Sequence, residues 1–197
     1  MGKVKKGVTE LAKDAGGRGR AVSEAESWFE DSKKSIREGA VQSTARRFRP
    51  GQVYVFRYDD PKYATEWDKN PCVLALDPAG NNDCGINLNL LPPNIKEDLL
   101  DFVYEQMKGQ IENQKKGGSA DNAKKQSELK FTYEGAKRFL KEYGFDFAIR
   151  QYIPNLKSNQ KVVSYESWAK IAILDFADIN GSDLNKIQEA FRNHLKK

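Results

Sequence analysis

Between positions 53 and 90 the chain carries three short runs that suit strands, separated by segments dense in turn formers, and this spacing limits the fold more than any other feature. Val53-Tyr54-Val55-Phe56-Arg57-Tyr58 is rich in β-branched and aromatic residues, which fit a pleated, half-buried surface. Cys72-Val73-Leu74-Ala75-Leu76 is an apolar run of strand length, and Gly85-Ile86-Asn87-Leu88-Asn89-Leu90 alternates apolar and polar residues with period two, the mark of a strand with one buried face. Residues 77–83, with Asp77, Pro78, Gly80, Asn81, Asn82 and Asp83, favour a turn, so the flanking runs are expected to pair as a hairpin. A chain built on such a set is expected to be α+β: a small antiparallel β-sheet or SH3-like barrel, with helices packed before and after it and an N-terminal helical arm.

The helical expectations follow from period and punctuation. Val4, Val8, Leu11 and Ala15 recur at helical spacing, and Gly16-Gly17-Arg18-Gly19-Arg20 breaks that helix. Ser23 with Glu26 predicts a capping box opening a helix that runs to Glu38, with Gly39 as its stop; its apolar side is thin (Ala25, Trp28, Phe29, Ile36), which suggests docking on another surface. After Leu91-Pro92-Pro93-Asn94, Ile95, Leu99, Val103, Met107 and Ile111 lie four apart on one face. Residues 113–123, with Lys115-Lys116-Gly117-Gly118-Ser119, read as a linker. A further helix is expected over 132–143, burial over 145–153, a short strand at Val162-Val163, a helix over 165–175, and a last one carrying Leu184, Ile187, Phe191 and Leu195. The expected organisation is a basic arm at 1–48, a β-rich core with its following helix at 49–112, the linker at 113–123, and a mostly helical part at 124–197 packed on the core.

The net charge of +5 is unevenly placed. Residues 1–50 hold twelve Lys/Arg and seven Asp/Glu, whereas the remainder holds 21 of each. The excess therefore sits on the leading quarter, which suits a negative partner: nucleic acid, an acidic protein groove or a neighbouring subunit. Lys3, Lys5, Lys6, Arg18, Arg20, Arg46, Arg47 and Arg49 are the candidate charged contacts, with Trp28 and Phe29 as apolar ones. Arg46-Arg47-Phe48-Arg49 combines guanidinium groups with an aromatic, which suits stacking on single-stranded nucleic acid or forking onto carboxylates. The glycine-arginine run at 16–20 lacks the Lys-Ser/Thr ending of a phosphate-binding loop.

Catalytic chemistry finds little to build on. The chain has one histidine, His194, close to the end of the sequence, where a rigid catalytic group is poorly supported. Cys72 and Cys84 lack metal-ligand or scaffold spacing and read as buried thiols. Asp59, Asp60, Glu66, Asp68, Asp77 and Asp83 fall in expected turns, where Asp bonds the local backbone. Asp178-Ile179-Asn180-Gly181-Ser182-Asp183 with Glu189 is a poor calcium loop, its glycine two positions early, and a helix cap explains it as well. No metal, no cofactor and no enzymatic activity are expected. The apolar runs are too short to cross a bilayer and the N-terminus lacks a signal-like apolar stretch, so synthesis and use in a cytoplasm, without a membrane partner, are expected.

Two regions resemble a family of tailed-bacteriophage virion proteins whose members are labelled structural proteins or, in T4-like marine phages, DNA end protectors. The family pattern "YxFxYxPK" is matched by Tyr54, Phe56 and Tyr58 with Pro61-Lys62, its aromatic-Asp turn by Trp67-Asp68 and Pro71, and its "GLNLHYLPP" by Gly85, Asn87 and Leu88 through Pro92-Pro93. Arg150, Tyr152 and Trp168 match two later elements. Asp60 is one residue more than the pattern has, and Asn89-Leu90 replaces its His-Tyr pair. The resemblance implies a non-catalytic virion component of the tail or baseplate, made in the host cytoplasm and joined to other virion proteins through the basic arm, or alternatively a protein that binds DNA ends at the head–tail junction. A carboxylate-dependent hydrolase is the enzymatic alternative.

Overall fold

Five antiparallel strands form a sheet in the order β4-β3-β2-β1-β5: β1 is Val53–Tyr58, β2 Cys72–Ala79, β3 Asn82–Asn87, β4 Ile149–Tyr152 and β5 Lys157–Val163. The computed structural model describes residues 1–38, 47–59, 69–115 and 132–175. The first four strands are laid down in sequence. The chain then passes through a 3-10 turn at Pro154–Leu156 and returns as β5 beside β1, so that β4 and β5 are the two edges of the sheet.

β2 and β3 form the expected hairpin. Ala79 faces Asn82 across a two-residue turn, with Gly80 at φ 62°; glycine at positive φ in the first central position is the pattern of the II′ turn that matches strand twist. The pairing register shifts by one residue between Leu76 and Ala79. A second shift lies between Val55 and Arg57 on β1, opposite Asn159 of β5. Asn159 has φ 51°, a left-handed conformation that asparagine tolerates better than most residues, and its side-chain amide donates to the Ile36 carbonyl at 2.7 Å.

Among the described residues, five helices accompany the sheet: α1 (Lys3–Asp14), α2 (Arg18–Glu38), α3 (Pro93–Lys115), α4 (Tyr133–Glu142) and α5 (Trp168–Ile173). Proline at the first position of α3 costs no hydrogen bond there. The Thr132 hydroxyl caps α4, accepting from the Gly135 amide at 3.2 Å. Gly7 of α1 sits so close to α5 that a Cβ would come within 2.9 Å of Ala169. No helix among the described residues is long and apolar enough to cross a membrane.

One face of the sheet packs on this helical layer. Val53, Val55, Leu74, Leu76, Cys84 and Ile86 join Val4, Val8, Ala21, Ala25, Phe29 and Ile36 from α1 and α2, Leu99 and Val103 from α3, and Trp168 and Ile171 from α5 in one apolar cluster. Burial raises the Cys72 thiol to about 12 and the Cys84 thiol to about 11, in keeping with inert core residues.

Four sequence expectations are corrected here. The leading segment is not a loose arm: residues 1–38 are two helices whose apolar stripes lie in the main core. Helix α2 starts at Arg18, so Ser23 lies inside it and makes no capping box; the break at Gly16-Gly17 is enough to turn the chain. The stretch after residue 131, expected to be mostly helical, supplies both edge strands, because the polar sequence of β5 is held by pairing with β1 rather than by its own propensity. The third strand starts and stops three residues earlier than its alternation suggests, since Leu88–Leu90 closes into a 3-10 turn. Gly39, the greater part of the proposed linker, the loop at 178–183 and the last helix lie outside the described residues.

Candidate nucleic-acid interface

The other face of the sheet is aromatic, and strand alternation is the reason. Tyr54, Phe56 and Tyr58 of β1 point away from the helices because Val53 and Val55 point toward them. With Phe48, Val73, Ala75 and Tyr152 they form a second buried cluster. Phe48 stacks on Tyr54 with centroids 4.9 Å apart and 12° between planes, while Tyr152 meets Phe56 at 5.2 Å and Tyr58 at 5.1 Å edge to face, geometries that add to plain area burial. Gly85 faces the same side, opposite Ala75 and Arg150. A Cβ there would fall 2.2 Å from a Val73 methyl and 2.8 Å from the Leu74 carbonyl oxygen. Because part of that obstacle is backbone, Gly85→Ala is expected to lower stability by about 1–3 kcal/mol, read as a lower urea midpoint with an unchanged slope.

Charges are set into this aromatic face. Asp83 and Lys157 are 1% and 3% exposed and form a direct ion pair. The Lys157 ammonium also lies 3.9 Å from the Phe48 ring centroid and donates to Gln160 Oε1 at 3.2 Å, a cation–π contact in a desolvated setting. Burial pulls its pKa below the ordinary lysine value, and Asp83 opposes that shift. Asp83 also accepts from the Phe48 amide at 3.2 Å and pairs with the Arg47 guanidinium at 3.5 Å. Next along the chain, the Arg49 amide donates to Tyr54 Oη at 3.1 Å, whose hydroxyl donates to Gln52 Oε1 at 2.8 Å. The Gly51 amide, at φ 80°, donates to the Ala75 carbonyl at 2.9 Å. Residues 47–52 are thus a strap tied to the aromatic face of the sheet, with Phe48 buried and Arg47 and Arg49 exposed on either side of it.

The predicted contact residues separate into groups. Phe48 is a core ring and offers no stacking surface for a base. Phe29 is 2% exposed and belongs to the core; Trp28 is half-buried against it, with the Lys170 ammonium 5.6 Å from its ring. Lys5 pairs with Asp98, and Arg18 reaches Glu97 at 4.0 Å, both on α3, while the Asp101 carboxylate of α3 accepts from the Val4 and Lys5 amides at the start of α1. Lys6 lies 3.7 Å from Glu10 on its own helix. Lys3 and Arg20 are exposed. Arg46, Pro61, Lys62, Trp67, Asp68 and His194 lie outside the described residues.

Of the motif residues, Tyr54, Phe56, Tyr58, Gly85, Asn87, Arg150 and Tyr152 share the aromatic side of the sheet through alternation and register. Asn87 accepts from the Asn89 amide at 3.1 Å, turning the strand into the 3-10 segment. Leu88 and Pro71 are buried, Pro92-Pro93 open α3, and Trp168 is buried in the helical layer. Sequence reasoning missed Lys157 and read Asp83 as a turn residue, since their pairing spans 74 positions. Among the described residues no cluster of three or more His, Cys, Asp or Glu is placed to hold a metal ion.

The family model described as Phage T4 terminal DNA protecting protein matches residues 3–185, which takes in α1 and α2, every strand and α5. The chain belongs to that family. Membership agrees with the bacteriophage and DNA-end-protector side of the sequence resemblance, and the family's description names no enzymatic activity. No curated protein and no solved structure matches the chain. Within the phage terminal DNA protecting family, this member's aromatic sheet face and its strap are built from residues inside the matched span.

Proposed function

We propose that this protein binds the ends of linear phage DNA and shields them, as a non-catalytic, virion-associated protein. The observation that carries the reading is the family match over residues 3–185. The net charge of +5 supports it, because phosphate neutralisation supplies most non-specific DNA affinity. Contact with other virion proteins and a place at the head–tail junction fit a protein that meets DNA where it enters or leaves a particle. The tail or baseplate reading, which relied on a free basic arm, has less behind it now that α1 and α2 lie on the protein's own core.

The test is exonuclease protection. Linear duplex DNA incubated with the full chain is expected to resist a double-strand exonuclease, with protection fading as salt rises. Unchanged digestion at saturating protein, or equal competition by covalently closed circles, would overturn the reading.

A further inference from the structure

We propose that the strap at residues 47–52 is the element that grips DNA phosphates, through Arg47 and Arg49. The proposal rests on the DNA-end reading above and names the site on which that reading acts.

Charge accounting points to the strap. Helix α1 has four lysines and two acidic residues, and its N-terminal end lies against Glu97, Asp98 and Asp101 of α3, which hold Lys5, Arg18 and the first amides of the helix. Helix α2 has five basic and five acidic residues and is neutral. The remaining excess of the leading quarter falls on Arg46, which lies outside the described residues, and on Arg47 and Arg49. Lys5 and Arg18 are thus engaged by carboxylates of α3, whereas Arg47 and Arg49 add exposed positive charge beside the aromatic face of the sheet.

The local bonding fits an anion there. Asp83 is one carboxylate between two cations, Lys157 and Arg47, so the trio keeps a unit of positive charge. The charged groups that act on Lys157 are Asp83 and Arg47. Arg49 adds a second unit and has no ion-pair partner among the described residues. The backbone between them is fixed on both sides: the Phe48 amide bonds Asp83, the Arg49 amide bonds Tyr54, and the Phe48 ring is stacked on Tyr54. Two guanidinium forks on an immobilised segment lose little freedom on binding and match phosphate oxygens in geometry. Such contacts hold the backbone and read no bases, as a cover for DNA ends of any sequence requires.

The experiment measures binding of a fluorescent blunt duplex by anisotropy between 50 and 200 mM salt, the range over which phosphate contacts are read on a log–log slope of about 0.9 per phosphate. Full-length wild type, R47Q/R49Q, R49Q alone, R47K/R49K and a surface control, K13Q/K34Q, are compared, with melting curves to establish folding. The slope is expected to fall by roughly 2 in R47Q/R49Q and roughly 1 in R49Q, and to stay unchanged in the lysine pair and the control. R49Q breaks no side-chain bond and decides the matter if the double variant does not fold. Unchanged slopes in R49Q and R47Q/R49Q, or an equal loss in the control, would overturn the strap while leaving DNA binding standing. Failure of the wild type to bind would overturn the strap and the DNA-end reading together.

Discussion

Removing residues 1–38 is expected to yield a chain that cannot hold its tertiary structure, rather than a trimmed domain lacking only a contact arm. Val4, Val8, Phe29 and Ile36 are each 5% exposed or less, and burial of such side chains is worth about 1.5–3 kcal/mol apiece. Four of them amount to roughly 6–12 kcal/mol, the size of a whole domain's stability. The loss also strips the Asn159 amide of its Ile36 carbonyl and the Lys161 ammonium of the Ser35 hydroxyl, 2.6 Å away. Near-ultraviolet circular dichroism and dye binding should show a collapsed but unpacked state. A milder probe, Phe29→Ala, should cost about 3–5 kcal/mol. A soluble truncated body that unfolds cooperatively would show instead that the two helices are an appendage.

The second large effect concerns the buried ion pair between Asp83 and Lys157. Asp83→Ala should destabilise the protein by about 3–5 kcal/mol, because it leaves the Lys157 ammonium buried without its carboxylate. Asp83→Ala/Lys157→Met should recover much of that loss, since an apolar replacement for both charges removes the desolvation cost. The variant's pH dependence carries a sign that can be derived. Burial already holds the Lys157 pKa below 10.5, and Asp83 is what pushes it back up. Without Asp83 the folded-state value drops further, while the unfolded value stays near 10.4. Between those two values the unfolded chain binds more protons than the folded one, so stability rises with pH across that window. Urea midpoints of Asp83→Ala should therefore climb from neutral toward alkaline pH more steeply than those of the wild type. Flat midpoints would mean that Lys157 has turned to water.

Much of the architecture could be read from local pattern. Strand β1 has the expected bounds, and α4 falls within the expected 132–143, with Thr132 as its cap rather than its first turn. Helix α3 opens where Pro92-Pro93 ends the preceding turn, with Ile95, Leu99, Val103 and Met107 inward. The edge strands were harder to see, because Lys-Ser-Asn-Gln-Lys at the start of β5 has little propensity for a strand and depends on β1, a hundred residues away, for its pairing. Start signals misled at α2, where Ser23 and Glu26 fit a capping box but the helix had already begun. At the candidate site, the aromatic alternation of β1 was plain, yet nothing local distinguishes Phe48 as a core ring from Phe48 as a stacking platform. That difference is made by Tyr54, Asp83 and Lys157, which meet it only after the sheet has formed.

The close approach of Gly7 to Ala169 bears on how the protein comes into being. A ribosome that adds about 5–20 residues per second delivers the receiving helix on the order of 10–30 seconds after the first one. During that interval the apolar stripe of α1 has no finished surface to settle on. Emerging chains therefore spend their synthesis with that stripe open to chaperones or to one another, and the tied strap that presents Arg47 and Arg49 is completed among the last features, once Lys157 has been made.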